Sequence, residues 1–182
     1  SCTTVFAQAE LLADINSSEE ITYNEFSNLR DGIGKLYYVS EQQHLWINFQ
    51  DTNSMEAAVK LRSFVHIDQL TMVGNVLYFS ADDGSLGTEL WKSDGTTSGT
   101  VLVKDIWPGS GSSEPQKLTV VDHQIFFTAA TSSHGRELWK STGSSAGTVM
   151  VKDIFPKVTS SKPDHLTNVN GVVYFSASDG VH

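Results

Sequence analysis

Residues 89–96 read Glu-Leu-Trp-Lys-Ser-Asp-Gly-Thr, and residues 137–144 read Glu-Leu-Trp-Lys-Ser-Thr-Gly-Ser. Both segments belong to a longer repeat, because residues 70–106 align with residues 118–154 without a gap and 20 of the 37 positions are identical. The four prolines follow the same offset of 48 residues, pairing Pro108 with Pro156 and Pro115 with Pro163. An ungapped internal repeat of this length predicts that one structural unit is used more than once.

Weaker copies extend the array in both directions. A half unit covers residues 166–182, and a degenerate unit covers residues 29–64. Residues 5–15 are predicted to form the last strand of a still earlier unit. We therefore expect one repeat domain over residues 1–182, with an incomplete unit at each end.

Each unit is predicted to contain four short antiparallel strands, at about 70–74, 76–81, 88–93 and 100–106 in the best copy. Glycine-rich and aspartate-rich turns separate them. Four strands in a repeat of about 48 residues are typical of a β-propeller blade. The predicted fold class is therefore all-β: a β-propeller of about four blades, or an incomplete segment of a larger propeller. An open stack of sheets is the alternative.

Closure of the ring has two predicted solutions. In one, the chain is a segment of a larger protein. In the other, the strand near residues 9–15 completes the C-terminal half blade of a four-bladed ring. An array left open exposes sheet edges and is expected to self-associate.

Composition excludes several classes of function. The formal net charge is -9, which repels phosphate backbones and argues against nucleic acid as a partner. No apolar run approaches the roughly 20 residues of a membrane helix. The single cysteine, Cys2, rules out an internal disulfide and leaves a bond to another chain, a lipid anchor or an incidental thiol.

Residues 89–96 match the motif Glu-Leu-Trp-x-x-Asp-Gly-Thr at every position, and the chain resembles the ELWxxDGT repeat family named for it. The resemblance covers residues 66–182 well and residues 11–65 loosely. It implies a secreted or surface-attached bacterial protein with propeller-like repeats, and hence an extracellular or cell-surface location. Two departures are the Thr-Gly-Ser at residues 142–144 and His44 in place of the motif's glutamate.

Residues that recur at fixed positions of the repeat are predicted to build the fold. Large aromatic side chains are expected to fill the space between blades, and the acidic residues to hold strand ends. An acid and base pair of a glycosidase is the alternative for the two glutamates. These predicted structural determinants are Trp91, Trp139, Glu89, Glu137, Asp105 and Asp153.

A ligand site is expected where the repeat symmetry breaks, because a repeated residue serves the fold. The sharpest break lies in the degenerate unit, which makes Tyr37, Tyr38, His44 and Trp46 candidate ligand-binding residues. Trp107 is a further candidate, since its counterpart in the next unit is Phe155. No nucleophile motif, phosphate loop or zinc-binding histidine pair is found.

Three aspartates near two turns define a candidate metal site. Asp82, Asp83 and Asp94 offer the carboxylate oxygens that calcium prefers. The alternative is that each carboxylate bonds the backbone of its own turn. No cofactor other than this calcium is expected.

The functional expectation is a non-catalytic, extracellular binding or scaffold module. Its partner would be a glycan or a surface or matrix protein, as for a lectin or adhesin, or further copies of the chain itself. The alternatives are a purely structural segment of a large surface or filament protein, and a glycan-active enzyme domain.

Overall fold

A computed structural model describes residues 29–30, 34–49 and 58–181. The described residues form β-strands and no helix. The fourteen strands are β1 (Leu29–Arg30), β2 (Lys35–Val39), β3 (His44–Phe49), β4 (Val59–Ser63), β5 (His66–Val73), β6 (Val76–Asp82), β7 (Thr88–Ser93), β8 (Val101–Lys104), β9 (Gln116–Val121), β10 (Gln124–Ala129), β11 (Glu137–Ser141), β12 (Val149–Lys152), β13 (Asp164–Val169) and β14 (Val172–Ser176).

The strands form four antiparallel sheets in which strands that follow each other in sequence are hydrogen-bonded neighbours. Sheet 1 has the order β1-β2-β3-β4, sheet 2 β5-β6-β7-β8, sheet 3 β9-β10-β11-β12, and sheet 4 β13-β14. The prediction of an all-β protein built from antiparallel units is therefore confirmed. No closed ring of sheets is seen in the described ranges, so closure stays a prediction.

Two strand bounds differ by more than one residue from those predicted. β5 begins at His66, four residues before the predicted start, because a bulge at Gln69 lets the ladder continue on its N-terminal side. β8 ends at Lys104, because the amides that follow it bond to a side chain instead of a neighbouring strand. The strand expected within residues 5–15 and Cys2 lie outside the described residues.

Successive sheets contact each other through their first strands, β1 with β5, β5 with β9, and β9 with β13. Apolar layers fill the space behind these contacts. One layer joins sheets 1 and 2 and includes Leu61, Phe64, Phe79 and Trp91. The other joins sheets 2 and 3 and includes Val103, Phe127 and Trp139. Sheets 1, 2 and 3 therefore share their cores with one another.

A bulge recurs between the third and fourth strands of the three four-stranded sheets. In sheet 2, Leu90 pairs with Lys104 and Trp91 with Leu102, which leaves Val103 without a partner residue across the ladder. The equivalent residues are Leu61 in sheet 1 and Val151 in sheet 3. In sheets 1 and 2 the bulged side chain enters the apolar layer shared with the next sheet.

No helix within the described ranges is long and apolar enough to cross a membrane.

Candidate functional site

Two buried glutamates hold the long connections that leave their sheets. Glu89 is 0% exposed, and its carboxylate accepts hydrogen bonds from the backbone amides of Ile106 (2.9 Å), Trp107 (3.3 Å) and Ser113 (3.1 Å) and from the Ser113 hydroxyl (2.6 Å). Burial raises the pKa of Glu89, and these hydrogen bonds oppose that rise. The carboxylate thus fixes the connection from β8 to β9.

Glu137 repeats this arrangement in sheet 3. It is also 0% exposed and accepts from the amides of Ile154 (3.0 Å) and Ser161 (3.0 Å) and from the Ser161 hydroxyl (2.6 Å). Because both carboxylates are enclosed and occupied by backbone donors, neither is accessible as the acid or base of a glycosidase.

The repeated tryptophans pack against the preceding sheet. The Trp91 ring lies 5.2 Å from the Phe64 ring in an edge-to-face contact, and the Arg62 guanidinium lies 4.5 Å from the Trp91 ring centroid. Trp139 belongs to the layer between sheets 2 and 3. Their indole rings are 3% and 6% exposed, so they lie in the core and not on a ligand-binding surface.

Tyrosine and glycine meet between successive sheets. Gly95 and Gly143 have positive φ, at 93° and 86°. A Cβ at Gly95 would meet the Tyr37 hydroxyl, and a Cβ at Gly143 would meet the Tyr78 hydroxyl. Lys92 also donates to the Gly143 carbonyl at 2.8 Å. The glycine of the repeat motif is therefore required by both its backbone angle and the adjoining sheet.

The ligand-binding residues predicted in the degenerate unit do not form a surface. Tyr37 is 0% exposed and Tyr38 is 5% exposed, so both belong to the core of sheet 1. Trp46 stacks on Tyr38 at 6.3 Å with Lys60 near its ring. His44 is half-buried, and its Nδ1 has no hydrogen-bond partner among the described residues. Because the apolar run of β2 is buried, Tyr37 and Tyr38 are not accessible to a ligand, and ligand binding by His44 and Trp46 stays a prediction.

Trp107 is half-buried, and its indole ring covers Gly111 within the connection from β8 to β9. A Cβ at Gly111 would collide with this ring. The side chain therefore contributes to the shape of the connection, and only part of it remains for a ligand.

The three predicted calcium ligands are not brought together. Asp82 and Asp83 precede β7 and Asp94 follows it, which separates them by the length of a six-residue strand, about 20 Å. Asp82 accepts from the Gly84 amide (2.7 Å), and Asp83 accepts from the Ser85 amide (3.1 Å) and pairs with Arg62 (3.2 Å). No group of three metal-ligating side chains converges in the described part of the chain.

Asp94 stabilises its own turn. It accepts from the amide (2.9 Å) and hydroxyl (2.7 Å) of Thr96, and the hydroxyl bond is the main reason that its pKa is lowered. In sheet 3 Thr142 occupies this position, and its hydroxyl lies over Gly147 as the Asp94 carboxylate lies over Gly99. A local turn role explains why threonine can replace aspartate.

Asp105 and Asp153 occupy equivalent places after β8 and β12. Asp105 accepts from the Gly109 amide at 3.3 Å, and Asp153 faces the His134 Nε2 at 3.9 Å. In each aspartate, Oδ1 is buried and has no hydrogen-bond partner within the described residues.

The first strands of sheets 2, 3 and 4 each contain a kink that was not predicted from the sequence. Gln69, Lys117 and His165 have φ of 59°, 58° and 56°, the left-handed region that favours glycine. At each kink two first-strand residues lie opposite one second-strand residue, as Gln69 and Leu70 lie opposite Phe79. A threonine two residues later donates to the carbonyl of the kinked residue, at 3.1, 2.9 and 3.0 Å. The sequence signal is a repeated x-Leu-Thr triplet at 69–71, 117–119 and 165–167.

Contacts between first strands bring the kinked residues together. We call Asp68, Gln69, Lys117, Asp164 and His165 the first-strand surface. The Gln69 Oε1 accepts from the Lys117 amide at 2.8 Å, and the Lys117 ammonium lies 2.6 Å from Asp164 Oδ1. The hydrogen bond from Lys117 is the main cause of the lowered pKa of Asp164.

The chemistry of the first-strand surface is mixed. It combines two carboxylates, an amide, an ammonium group and an imidazole, and the His165 side chain is 83% exposed. These groups both donate and accept hydrogen bonds, which suits a ligand rich in hydroxyl or amide groups.

No family model, curated protein or solved structure matches this chain.

Proposed function

We propose that this protein is a non-catalytic, extracellular binding module of the β-propeller type, and that it binds a hydroxyl-rich ligand such as a glycan at the first-strand surface. Consecutive four-stranded sheets joined through their first strands support the propeller arrangement. In such an arrangement the first strands surround the axis. The resemblance to the ELWxxDGT repeats supports the extracellular location.

The observation on which this proposal rests is the contrast between constant backbone and variable side chain at the kinks. The three φ values agree within 3°, whereas the residues are glutamine, lysine and histidine. A non-glycine residue in this region costs about 1–2 kcal/mol. The same backbone strain occurs in three sheets although the strained residue differs in each. Such strain is expected at a functional site, where the side chains contact a ligand.

The buried glutamates argue against the enzyme alternative, because both accept backbone hydrogen bonds in enclosed positions. Tyr37 and Tyr38 of sheet 1, on which a sugar ring could have stacked, are also buried. Affinity for a glycan would therefore come from hydrogen bonds to the first-strand surface, and a loop of a matrix protein would make similar bonds.

The test is a glycan array followed by titration of the best ligand into a variant with Gln69→Gly, Lys117→Gly and His165→Gly together. Glycine fits the left-handed backbone without strain, which offsets the loss of the Gln69–Lys117 hydrogen bond and the Lys117–Asp164 ion pair, so the variant is expected to fold. We expect it to lose binding by at least tenfold.

Lys157→Gly is the matched control, because Lys157 is an exposed lysine with a positive φ of 77° that lies outside the first-strand surface. This control is expected to bind like the parent. Unchanged binding by the triple variant would reject the site, and absence of any bound glycan or matrix protein would reject the function.

A further inference from the structure

Sheet 4 contains a strand with one edge unpaired within the described residues. β14 pairs with β13 on one side, and within residues 58–181 no strand pairs with its other side. Its sequence, Val-Val-Tyr-Phe-Ser, contains neither charge nor proline. Exposed edges of this kind are where a sheet accepts a further strand.

The side chains beside this edge are exposed, although their counterparts are buried. Tyr174 is 60% exposed where Tyr78 is 6% exposed, and Phe175 is 38% exposed where Phe79 and Phe127 are 0% exposed. On the neighbouring sheet, Val151 is 45% exposed where Val103 is 5% exposed. Val151 and Phe175 border an uncovered groove between sheets 3 and 4, whereas Tyr174 lies on the opposite face of sheet 4, as its counterpart Tyr78 does in sheet 2.

The repeat identifies what covers such a groove. In sheet 2, Phe79 pairs with Trp91 of β7, and in sheet 3, Phe127 pairs with Trp139 of β11. Each tryptophan lies in the layer that contains the bulged residue of the preceding sheet, Leu61 or Val103. The surface that meets the uncovered groove elsewhere in the chain is therefore a strand of the Glu-Leu-Trp type.

We propose that β14 binds, by strand addition, a β-hairpin of the same repeat type as β11–β12, with the tryptophan of the added hairpin opposite Phe175 and against Val151. The register follows from sheets 2 and 3, in which the residue before tryptophan faces Ser80 or Thr128, the counterparts of Ser176. The partner is thus defined by a Glu-Leu-Trp strand and not by apolar character alone. This interface is independent of the first-strand surface.

The direct test titrates a synthetic peptide with the sequence of residues 136–154 into the 182-residue chain. Saturable binding is expected, with amide exchange at residues 172–176 slowed at least tenfold. A peptide with Trp139→Ala should bind at least tenfold more weakly. Equal binding of both peptides, or protection elsewhere than β14, would overturn the proposal.

Variants of the chain separate this groove from general stickiness. Val151→Lys is expected to weaken peptide binding at least tenfold. Val101→Lys is the matched control, because Val101 lies on the fourth strand of sheet 2 and is 37% exposed. It should leave the affinity within twofold of the parent. Equal losses in both variants would contradict the assigned groove.

A chain with the hairpin attached covalently tests the proposal even if the free peptide binds too weakly to detect. Residues 136–154 are appended after His182 through a flexible glycine and serine linker, which raises the effective concentration of the hairpin. The denaturant midpoint is expected to rise, and the rise should disappear when the appended tryptophan is replaced by alanine. The proposal would be rejected if the peptide did not bind to the separate chain and the tethered hairpin did not raise the denaturant midpoint.

Discussion

The outer faces of sheets 2 and 3 have nearly the same sequence but different surroundings. β8 reads Val-Leu-Val-Lys and β12 reads Val-Met-Val-Lys, yet Val103 is 5% exposed and Val151 is 45% exposed. The difference is the neighbour: a four-stranded sheet covers the first, and within the described residues a two-stranded sheet adjoins the second. Burial in this fold is therefore a property of pairs of repeats, as expected for a linear array.

Glu89 and Glu137, which we call the glutamate clamps because each holds the connection after its sheet, behave differently from the apolar layers. Glu137 is as fully buried as Glu89, although it lies in the sheet with the uncovered outer face. All its bonds stay within its own repeat and the connection that follows. Two kinds of stabilisation are thus separable, one within a repeat and one between repeats.

The largest expected effect distinguishes a covered phenylalanine from its uncovered counterpart. Phe127→Ala should lower the free energy of unfolding by about 3–5 kcal/mol, because it leaves a cavity in a closed layer. Phe175→Ala should lower it by less than about 1.5 kcal/mol, since part of that ring is already in water. Urea unfolding followed by tryptophan fluorescence measures both. Equal losses would show that the two layers are equivalent in solution.

A smaller effect tests whether the clamps are independent of neighbouring sheets. Glu89→Gln and Glu137→Gln should each lower the free energy of unfolding by about 2–3 kcal/mol, because an amide nitrogen then faces buried backbone donors. The two losses should agree within about 1 kcal/mol. A much smaller loss for Glu137→Gln in the same urea experiment would tie the clamp to the completeness of the next sheet.

The contact between sheets at the turn glycine gives a still smaller difference. Gly74→Ala should cost about 1 kcal/mol through its positive φ alone, since no atom lies within 4 Å of the added Cβ. Gly143→Ala should cost about 1 kcal/mol more, because its Cβ also meets the Tyr78 hydroxyl. Adding Tyr78→Phe should recover part of this loss in thermal unfolding. No recovery would remove the hydroxyl as the cause.

The smallest expected effect is a loss of stability that appears only at alkaline pH. Burial raises the pKa of Tyr38 to about 12, whereas an unfolded tyrosine ionises near 10. The folded state therefore holds this proton more tightly, and the contribution of Tyr38 to stability is lost as pH rises from about 10 to 12. Absorbance titration at 295 nm should show one late-ionising group fewer in Tyr38→Phe than in the parent, in which burial also raises the pKa of Tyr78. Equal numbers of late-ionising groups would place Tyr38 in water.

Much of the fold could be predicted because repeats expose their own pattern. The strand segments and the all-β class follow from apolar runs divided by glycine turns, and the offset of 48 residues locates each unit. The kinks could not be predicted in this way, because Gln69, Lys117 and His165 are not residues that signal a left-handed backbone. The bulge opposite Phe79, Phe127 and Phe175 sets their conformation through tertiary pairing.

The burial of two candidate ligand-binding residues was not predicted either, for a related reason. Divergence from the repeat directed attention to Tyr37 and Tyr38, but the continuous apolar run of β2 is covered on both faces. At the three kinks the backbone conformation is constant and only the side chain varies, which becomes visible once the three sheets are superimposed. Divergence of a whole unit therefore does not indicate an exposed site, whereas variation at one strained position within a unit is the better indication.

The buried glutamate has a consequence for how such chains change in length over evolution. Since Glu89 binds the connection that follows its own sheet, each 48-residue unit includes the device that shapes its link to the next. Recombination between equivalent positions of two units would therefore insert or delete one complete unit with its clamp intact. Gene duplication can lengthen the array without redesigning a single linker.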